Sequence, residues 1–170
     1  MRGQTSGAGI MGMGAGISTT IDISHTICHM NCMWVIDTDV IVAAIRSRNG
    51  ASAEVIRRAL SGEVGICLSV VLAIEYEAVA TRKAHLLAGD MSEREAINVI
   101  DSLIAAATPV ENHFRWRPQL RDQDDEMVLE TAANGGASAI VTFNRKDFAP
   151  AALQFGIDVL LPRQALETLK

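Results

Sequence analysis

Two carboxylates, Asp37 and Asp39, stand one residue apart inside the apolar run Trp34-Val35-Ile36-Asp37-Thr38-Asp39-Val40-Ile41-Val42. A short apolar run of this kind reads as a buried strand. An ionised carboxylate in such a place is costly unless a partner or a cation compensates it. Three more polar sets share that character. Glu75 has Val71, Leu72, Ala78 and Val79 as its helical neighbours, so its side chain is expected to turn with the buried face rather than with Glu77 and Arg82. In Asp122-Gln123-Asp124-Asp125-Glu126, Asp125 lies on the stripe of Val128, Leu129 and Ala132 that should face the core, and Asp122 is the next candidate. Thr142 and Asn144, with Asp147 on the loop beyond, form the last set. Several carboxylates gathered without cysteine or paired histidine select a hard cation, Mg²⁺ or Mn²⁺, over zinc. Such a cation bridges phosphate oxygens, activates a water and stabilises a leaving oxygen.

Each set also has a structural explanation. Glu75 can pair with an arginine or cap a neighbouring element. Acids in a first helical turn complement the helix dipole, and Asp122 with Asp125 mimics a capping box. Asn144 and Asp147 can serve an ordinary turn.

The elements that must position these residues alternate. After the Asp37 strand, Val40 to Ile45 begins a helix that Asn49-Gly50 interrupts, and Ser52 caps a second helix closed by Gly62. Val64 to Leu68 is a strand, and Ser69 is the N-cap of a helix from Val70 to about Arg82. Gly89-Asp90 marks a turn, and Ser92 with Glu95 is a capping box opening a helix to Ala106. Thr108-Pro109-Val110 is a short strand, Asn112 to Arg121 is irregular, and a helix starts at Asp122 and ends at Asn134-Gly135-Gly136. Strands follow at Ser138–Thr142 and Asp158–Leu161, and Pro162 leads a last helix. Strands alternating with helices predict a small parallel sheet flanked by helices, an α/β fold. In such a sheet, sites form at the carboxyl ends of the strands, where Asp37, Thr142 and Asn144 all fall.

The 170 residues carry a formal net charge of -5, so no broad basic field draws the chain to nucleic acid. Binding a polyanion then rests on bridging cations and on local basic residues: Arg145, Lys146, and the Arg115–Arg121 segment with Arg121 at its end. Three cysteines, Cys28, Cys32 and Cys67, give no basis for a disulfide framework. No apolar run is long enough to span a bilayer. Residues 1–32 are aperiodic and rich in Gly, Ser and Thr, and are expected to form a disordered extension whose translation is open, with one domain from 33 to 170. His25, Cys28, His29 and Cys32 have zinc-ligand side chains at helical spacing but no second apolar layer to pack on. A cytoplasmic location is expected.

Four blocks together resemble a PIN domain, in particular the PIN-type toxins of bacterial toxin–antitoxin pairs. They are Trp34 to Val40; Leu68-Ser69 leading to Glu75; Arg121 to Glu126 followed by Leu129 and Ala132; and Ala139 to Thr142 with Asn144 and Asp147-Phe148. Asp39 stands where the family usually has Asn, Gln123 replaces a frequent Pro, and Asn144 stands where many members have Asp. The resemblance implies a three-layer α/β/α fold and a metal-dependent endoribonuclease using Mg²⁺ or Mn²⁺. It carries over Asp37, Glu75 and Asp125 as metal ligands, with Asp147, Asp122 or Asn144 filling the fourth position. Thr38 and Thr142 match supporting positions, to which Asp39 and Ser69 are added. It also implies an RNA substrate, an antitoxin partner and often a homodimer. Two other readings compete. Asp37-x-Asp39 resembles the nucleophile motif of haloacid-dehalogenase-type phosphatases, but the paired acids Asp124 and Asp125 precede Thr142, the wrong order for that family. A domain that keeps the fold and only binds RNA or protein is the third.

Overall fold

The structure is a computed structural model, and it describes residues 32–114, 117 and 119–170. The anticipated extension, with its His25, Cys28 and His29, lies outside the described residues, as do Arg115, Trp116 and Pro118. The chain runs β1 (Met33–Ile36), α1 (Thr38–Arg46), α2 (Ala51–Leu60), β2 (Gly65–Ser69), α3 (Val70–Ala80), α4 (Lys83–Gly89), α5 (Glu93–Ala106), β3 (Thr108–Val110), α6 (Glu126–Asn134), β4 (Ala139–Val141), α7 (Arg145–Ala152), a 3-10 turn at Leu153–Phe155, β5 (Asp158–Leu160) and α8 (Pro162–Glu167). The expected α/β class holds. The five strands are parallel in the order β3-β2-β1-β4-β5.

That order places β1 at the centre, with its connection to β2 leaving on one side and β4 joining on the other. The crevice where neighbouring connections diverge is where ligands bind in open α/β sheets. Trp34 pairs with Ala139, Val35 with Ile140 and Ile36 with Val141, so the two strands end level at the carboxyl edge. All six of these side chains are buried, the continuous apolar signature of a sheet covered on both faces.

The first strand is shorter than its apolar run suggests. It ends at Ile36, and the helix begins at Thr38 rather than Val40. Val40, Ile41 and Ile45 have the three-to-four spacing of a helical face and are all buried, so the same apolar residues serve a helix. Gly50, not Ser52, is the N-cap of α2; Ser52 is buried inside its first turn. The helix expected to reach Arg82 stops at Ala80, and the extended backbone of Arg82 starts the separate α4. Ser69 caps α3 as expected, accepting the Leu72 N–H at 3.3 Å, and the Ser92–Glu95 capping box is present.

The helix expected from Asp122 begins at Glu126. Asp122 instead accepts the Asp124 N–H at 3.0 Å, a local turn that competes with helix, and the Asp122–Asp125 capping box does not form. Residues 145–152, where a loop is expected at Asp147, are α7; Pro150 sits near its end and removes one N–H, the one that would bond back to the carbonyl of Lys146.

Candidate active site at the switch point of the sheet

Asp37 occupies the N-cap of α1, yet its carboxylate makes no capping hydrogen bond. Its backbone does that work: the Asp37 carbonyl accepts from Val40 and Ile41, and its N–H continues the ladder to the Val141 carbonyl at 2.9 Å. The side chain, 2 % exposed, turns to its neighbours instead. The Thr142 hydroxyl lies 2.6 Å from Oδ2, and the Thr38 hydroxyl donates to Oδ1 at 3.2 Å. Tyr76, the single tyrosine of the chain, reaches from α3 to hydrogen-bond the Ile36 carbonyl one residue before Asp37. A buried tyrosine hydroxyl has to find such a partner, and here it pins the end of β1. Its phenol is pushed up by burial and by the charge of Asp37.

Asp39 lies in the first turn of α1 and bridges to the β4–α7 turn. Its Oδ2 accepts the Phe143 N–H at 2.9 Å and lies 3.3 Å from the Thr142 hydroxyl, while its Oδ1 is buried without a hydrogen-bond partner. Thr142, fully buried, accepts the Asn144 N–H at 2.8 Å. Asn144 in turn donates from Nδ2 to Oδ2 of Asp125 at 3.0 Å. One connected set of bonds thus runs from Thr38 through Asp37, Thr142 and Asn144 to Asp125, with Asp39 branching from Thr142.

The charges in this set act on one another. The Asp37 carboxyl is raised to about 6, first by burial and then by the charge of Asp39, against the bonds from Thr142 and Thr38. The Asp39 carboxyl is also raised, mainly by burial, with Asp125 adding to it. Asp125, half-buried at the N-cap position of α6, is raised to about 6 by burial and then by the charges of Asp37, Asp122 and Asp147. Asp122 and Asp147 are exposed at the rim, Asp147 in the first turn of α7 rather than on a loop.

Glu75 is placed differently from expectation. α3 is apolar nearly all round, and Val71 and Ala78, read as its buried neighbours, are exposed. The Glu75 side chain is 37 % exposed and its carboxylate faces the Arg82 guanidinium at 3.8 Å. It therefore sides with Arg82, and among the described residues it has no hydrogen bond to the other acids. Ser69 has no hydrogen bond to the acids among the described residues either; its hydroxyl lies 2.8 Å from that of Thr131 on α6 and helps fix that helix.

Two further acids, Glu126 and Glu130, are buried and were not foreseen as structural residues. Glu126 Oε1 accepts the N–H groups of Gln119 and Leu120 at 2.6 and 2.9 Å. Glu130 holds Arg117 through two bonds at 2.9 and 3.1 Å. Asn134 adds bonds to both the N–H and the carbonyl of Phe114. Residues 126, 130 and 134 are four apart and share a face of α6, so one row of side chains ties Phe114, Arg117, Gln119 and Leu120 to the helix. The i, i+4, i+8 spacing was visible in the sequence. Arg117 is consequently engaged by Glu130, and of the basic residues singled out Arg121, Arg145 and Lys146 are exposed.

A family model of the PIN domain matches residues 33–146, from the first residue of β1 into α7. The chain belongs to the PIN-domain family. Comparison with curated proteins and with solved structures gives no match. The matched span holds Asp37, Asp39, Glu75, Asp122, Asp125, Thr142 and Asn144. PIN domains are nuclease-type folds, and a hydrolase is the coarse activity the family assigns. No described helix is long and apolar enough to cross a membrane.

PIN nucleases typically use divalent metals, and the residues present can be tested against that chemistry. Among the described residues no group of three or more His, Cys, Asp or Glu side chains is near enough to hold one ion. The electrostatics point the other way, because Asp37 and Asp125 are both pushed up to about 6 and Asp39 keeps a buried, unpartnered oxygen. Side chains drawn into bonds with Thr142 and Asn144 are not arranged as a cage, whereas burial and mutual repulsion do not depend on such an arrangement. Mg²⁺ keeps several waters and binds through one or two carboxylates plus substrate phosphates. The all-oxygen donor set fits that mode.

Proposed function

We propose that this PIN domain is an endoribonuclease that hydrolyses RNA phosphodiester bonds with Mg²⁺ or Mn²⁺, the toxin component of a toxin–antitoxin pair. The observation that carries the nuclease reading is the convergence of Asp37, Asp39 and Asp125 at the switch point, held by Thr142 and Asn144, with none of the three in an ion pair among the described residues. Asp37 and Asp125 are the metal ligands, with Asp122 or Asp147 supplying the fourth charge and Asn144 orienting Asp125. Glu75 joins them on leaving Arg82. When bound, the cation supplies a water nucleophile at neutral pH and an electrophile for the phosphate oxygens. The chain's own residues position and exclude. Thr142 and Thr38 fix the orientation of the Asp37 carboxylate, Asp39 fixes the β4–α7 turn, and Arg145, Lys146 and Arg121 hold the RNA backbone as exposed cations. The toxin role, an antitoxin partner, a homodimer and a cytoplasmic location rest on the resemblance of the four sequence blocks.

The test is cleavage of single-stranded RNA by the purified chain with Mn²⁺, beside Asp37→Asn prepared identically. Loss of cleavage in the variant supports the reading; equal cleavage by both proteins refutes it. A second reading, a PIN fold that only binds RNA or protein, is favoured by the hydrogen bond from Asn144 that occupies Asp125 and by the lack of a three-carboxylate cage among the described residues. Absence of Mg²⁺ or Mn²⁺ binding at millimolar concentration would select it.

A further inference from the structure

Phe143 belongs to the β4–α7 turn, and the acid set uses only its backbone. Its N–H is held by Asp39 at 2.9 Å, and it is flanked by Thr142, which is fully buried, and by Asn144, which bonds Asp125. The ring nevertheless projects outward and is 52 % exposed. A lone exposed phenylalanine needs no explanation; this one is fixed at its backbone beside the site and forms one wall of a cleft. The cleft, about 470 Å³, is lined by Phe143, Asn144, Arg145, Lys146 and Ala149. Arg145 and Lys146 are exposed, and neither forms an ion pair among the described residues. Asn144 is shared, lining the cleft while donating to Asp125, so the cleft opens directly beside the carboxylates.

A flat apolar ring, two free cations and a carboxamide in one open cleft match the parts of a nucleotide. Aromatic side chains stack on bases whatever their identity, and lysine and arginine take the phosphates. We propose that this cleft binds one unpaired nucleotide of an RNA strand, its base stacked on Phe143 and its phosphate held by Arg145 and Lys146. The inference rests on the nuclease reading for its RNA and narrows the substrate class to single strands. A base inside a duplex has both faces covered by its neighbours and cannot reach the ring.

The test is binding, measured by fluorescence anisotropy on the full chain in EDTA, with a short unstructured oligoribonucleotide and a duplex containing the same sequence. Phe143→Ala should weaken single-strand binding about tenfold, the loss of one base–aromatic stack, and Phe143→Trp should retain it. The Asp39 bond to residue 143 is made by the backbone and survives both substitutions. The pair Arg145→Ala/Lys146→Ala should flatten the dependence of log K on log salt by about 0.7, the value for one phosphate contact on a single strand, whereas Phe143→Ala should leave that slope unchanged. Single-strand affinity within twofold of wild type in Phe143→Ala, no measurable affinity in wild type, or a duplex bound equally well with the same Phe143 dependence would each overturn the proposal. Cleavage with Mn²⁺ is read separately. A wild-type chain that binds through Phe143 and never cuts overturns the nuclease reading and upholds the cleft. One that cuts while Phe143→Ala binds normally overturns the cleft alone.

Discussion

Asp37→Asn should make the metal-free protein more stable while abolishing its cleavage. The folded carboxyl sits at about 6 against an ordinary 3.8, raised by burial and by Asp39, so the folded chain holds this proton more tightly than the unfolded one. Below about pH 4 both states are protonated and the site carries no charge cost. Between about pH 4 and 6 the unfolded chain gives up this proton while the folded chain still holds it, so stability falls as the pH rises, and above 6 the penalty is complete. At 1.36 kcal/mol per pH unit the full penalty is about 3 kcal/mol. Asp37 is 2 % exposed, so solvent screening relieves little of it. Asparagine cannot ionise, keeps an oxygen for the Thr142 hydroxyl, and can turn its NH₂ to the Thr38 hydroxyl oxygen.

Urea denaturation in EDTA should therefore show the variant more stable by about 2–3 kcal/mol at pH 7.5, or roughly 5–10 °C in melting temperature for a chain of this size. At pH 4 the advantage should shrink below about 0.5 kcal/mol, within the usual range of a neutral substitution. Saturating Mn²⁺ should then stabilise wild type, by about 2.7 kcal/mol at a hundredfold excess over its dissociation constant, and leave the variant unmoved. A variant no more stable than wild type at pH 7.5, or an advantage independent of pH, would refute the electrostatic argument.

Three further substitutions probe the surroundings. Asn144→Asp exchanges a donor on Asp125 for a like charge about 3 Å away, and should cost the metal-free protein about 1–2 kcal/mol at pH 8 while tightening Mn²⁺ binding, read by denaturation and by calorimetric titration. Glu75→Gln should change stability by less than about 0.5 kcal/mol, because its 3.8 Å pair with Arg82 is half-exposed, while lowering Mn²⁺-dependent cleavage at least about tenfold; unchanged cleavage removes Glu75 from the site. Arg117→Ala strands the Glu130 carboxylate, 4 % exposed, and should cost about 2 kcal/mol in urea, less than a wholly buried pair because the arginine itself is 46 % exposed.

Local chemistry was the legible part of the sequence. Ser92 with Glu95, Ser69 before Val70, and the alternation of short strands with amphipathic helices all depend on residues a few positions apart, and the fold follows them. The carboxyl edge was legible too, because Asp37 and Thr142 each close an apolar run and a parallel sheet puts those ends together. What failed was the inference from apolar neighbours at Glu75. Around Glu75 every flanking position is apolar, so periodicity carried no direction, and the exposed Val71 and Ala78 left the carboxylate beside Arg82. Pairings between elements were also hidden: Tyr76 with the Ile36 carbonyl and Asn144 with Asp125 join residues 40 and 19 positions apart.

The position of Asp37 bears on whether the acids serve the fold or the chemistry. The N-terminus of α1 presents it with the positive end of a helix dipole, and two hydroxyls lie at 2.6 and 3.2 Å. Its carboxyl is raised all the same, so these contributions fall short of the burial cost and the charge of Asp39. A site shaped for stability would dispose of one charge, and the chain does so at Asn144, whose amide steadies Asp125 where a carboxylate would repel it. It does not do so at 37 or 39, where the family usually carries Asn in the second place. Retaining a buried acid and a half-buried one there, the second with a buried unpartnered oxygen, stores a destabilisation that a cation would relieve. Asp37→Asn and Asn144→Asp then form opposed tests: one removes the stored charge and should lose metal binding, the other adds charge and should strengthen it. A result in which both variants shift Mn²⁺ affinity in the same direction would mean that the acids are held by the fold for another reason.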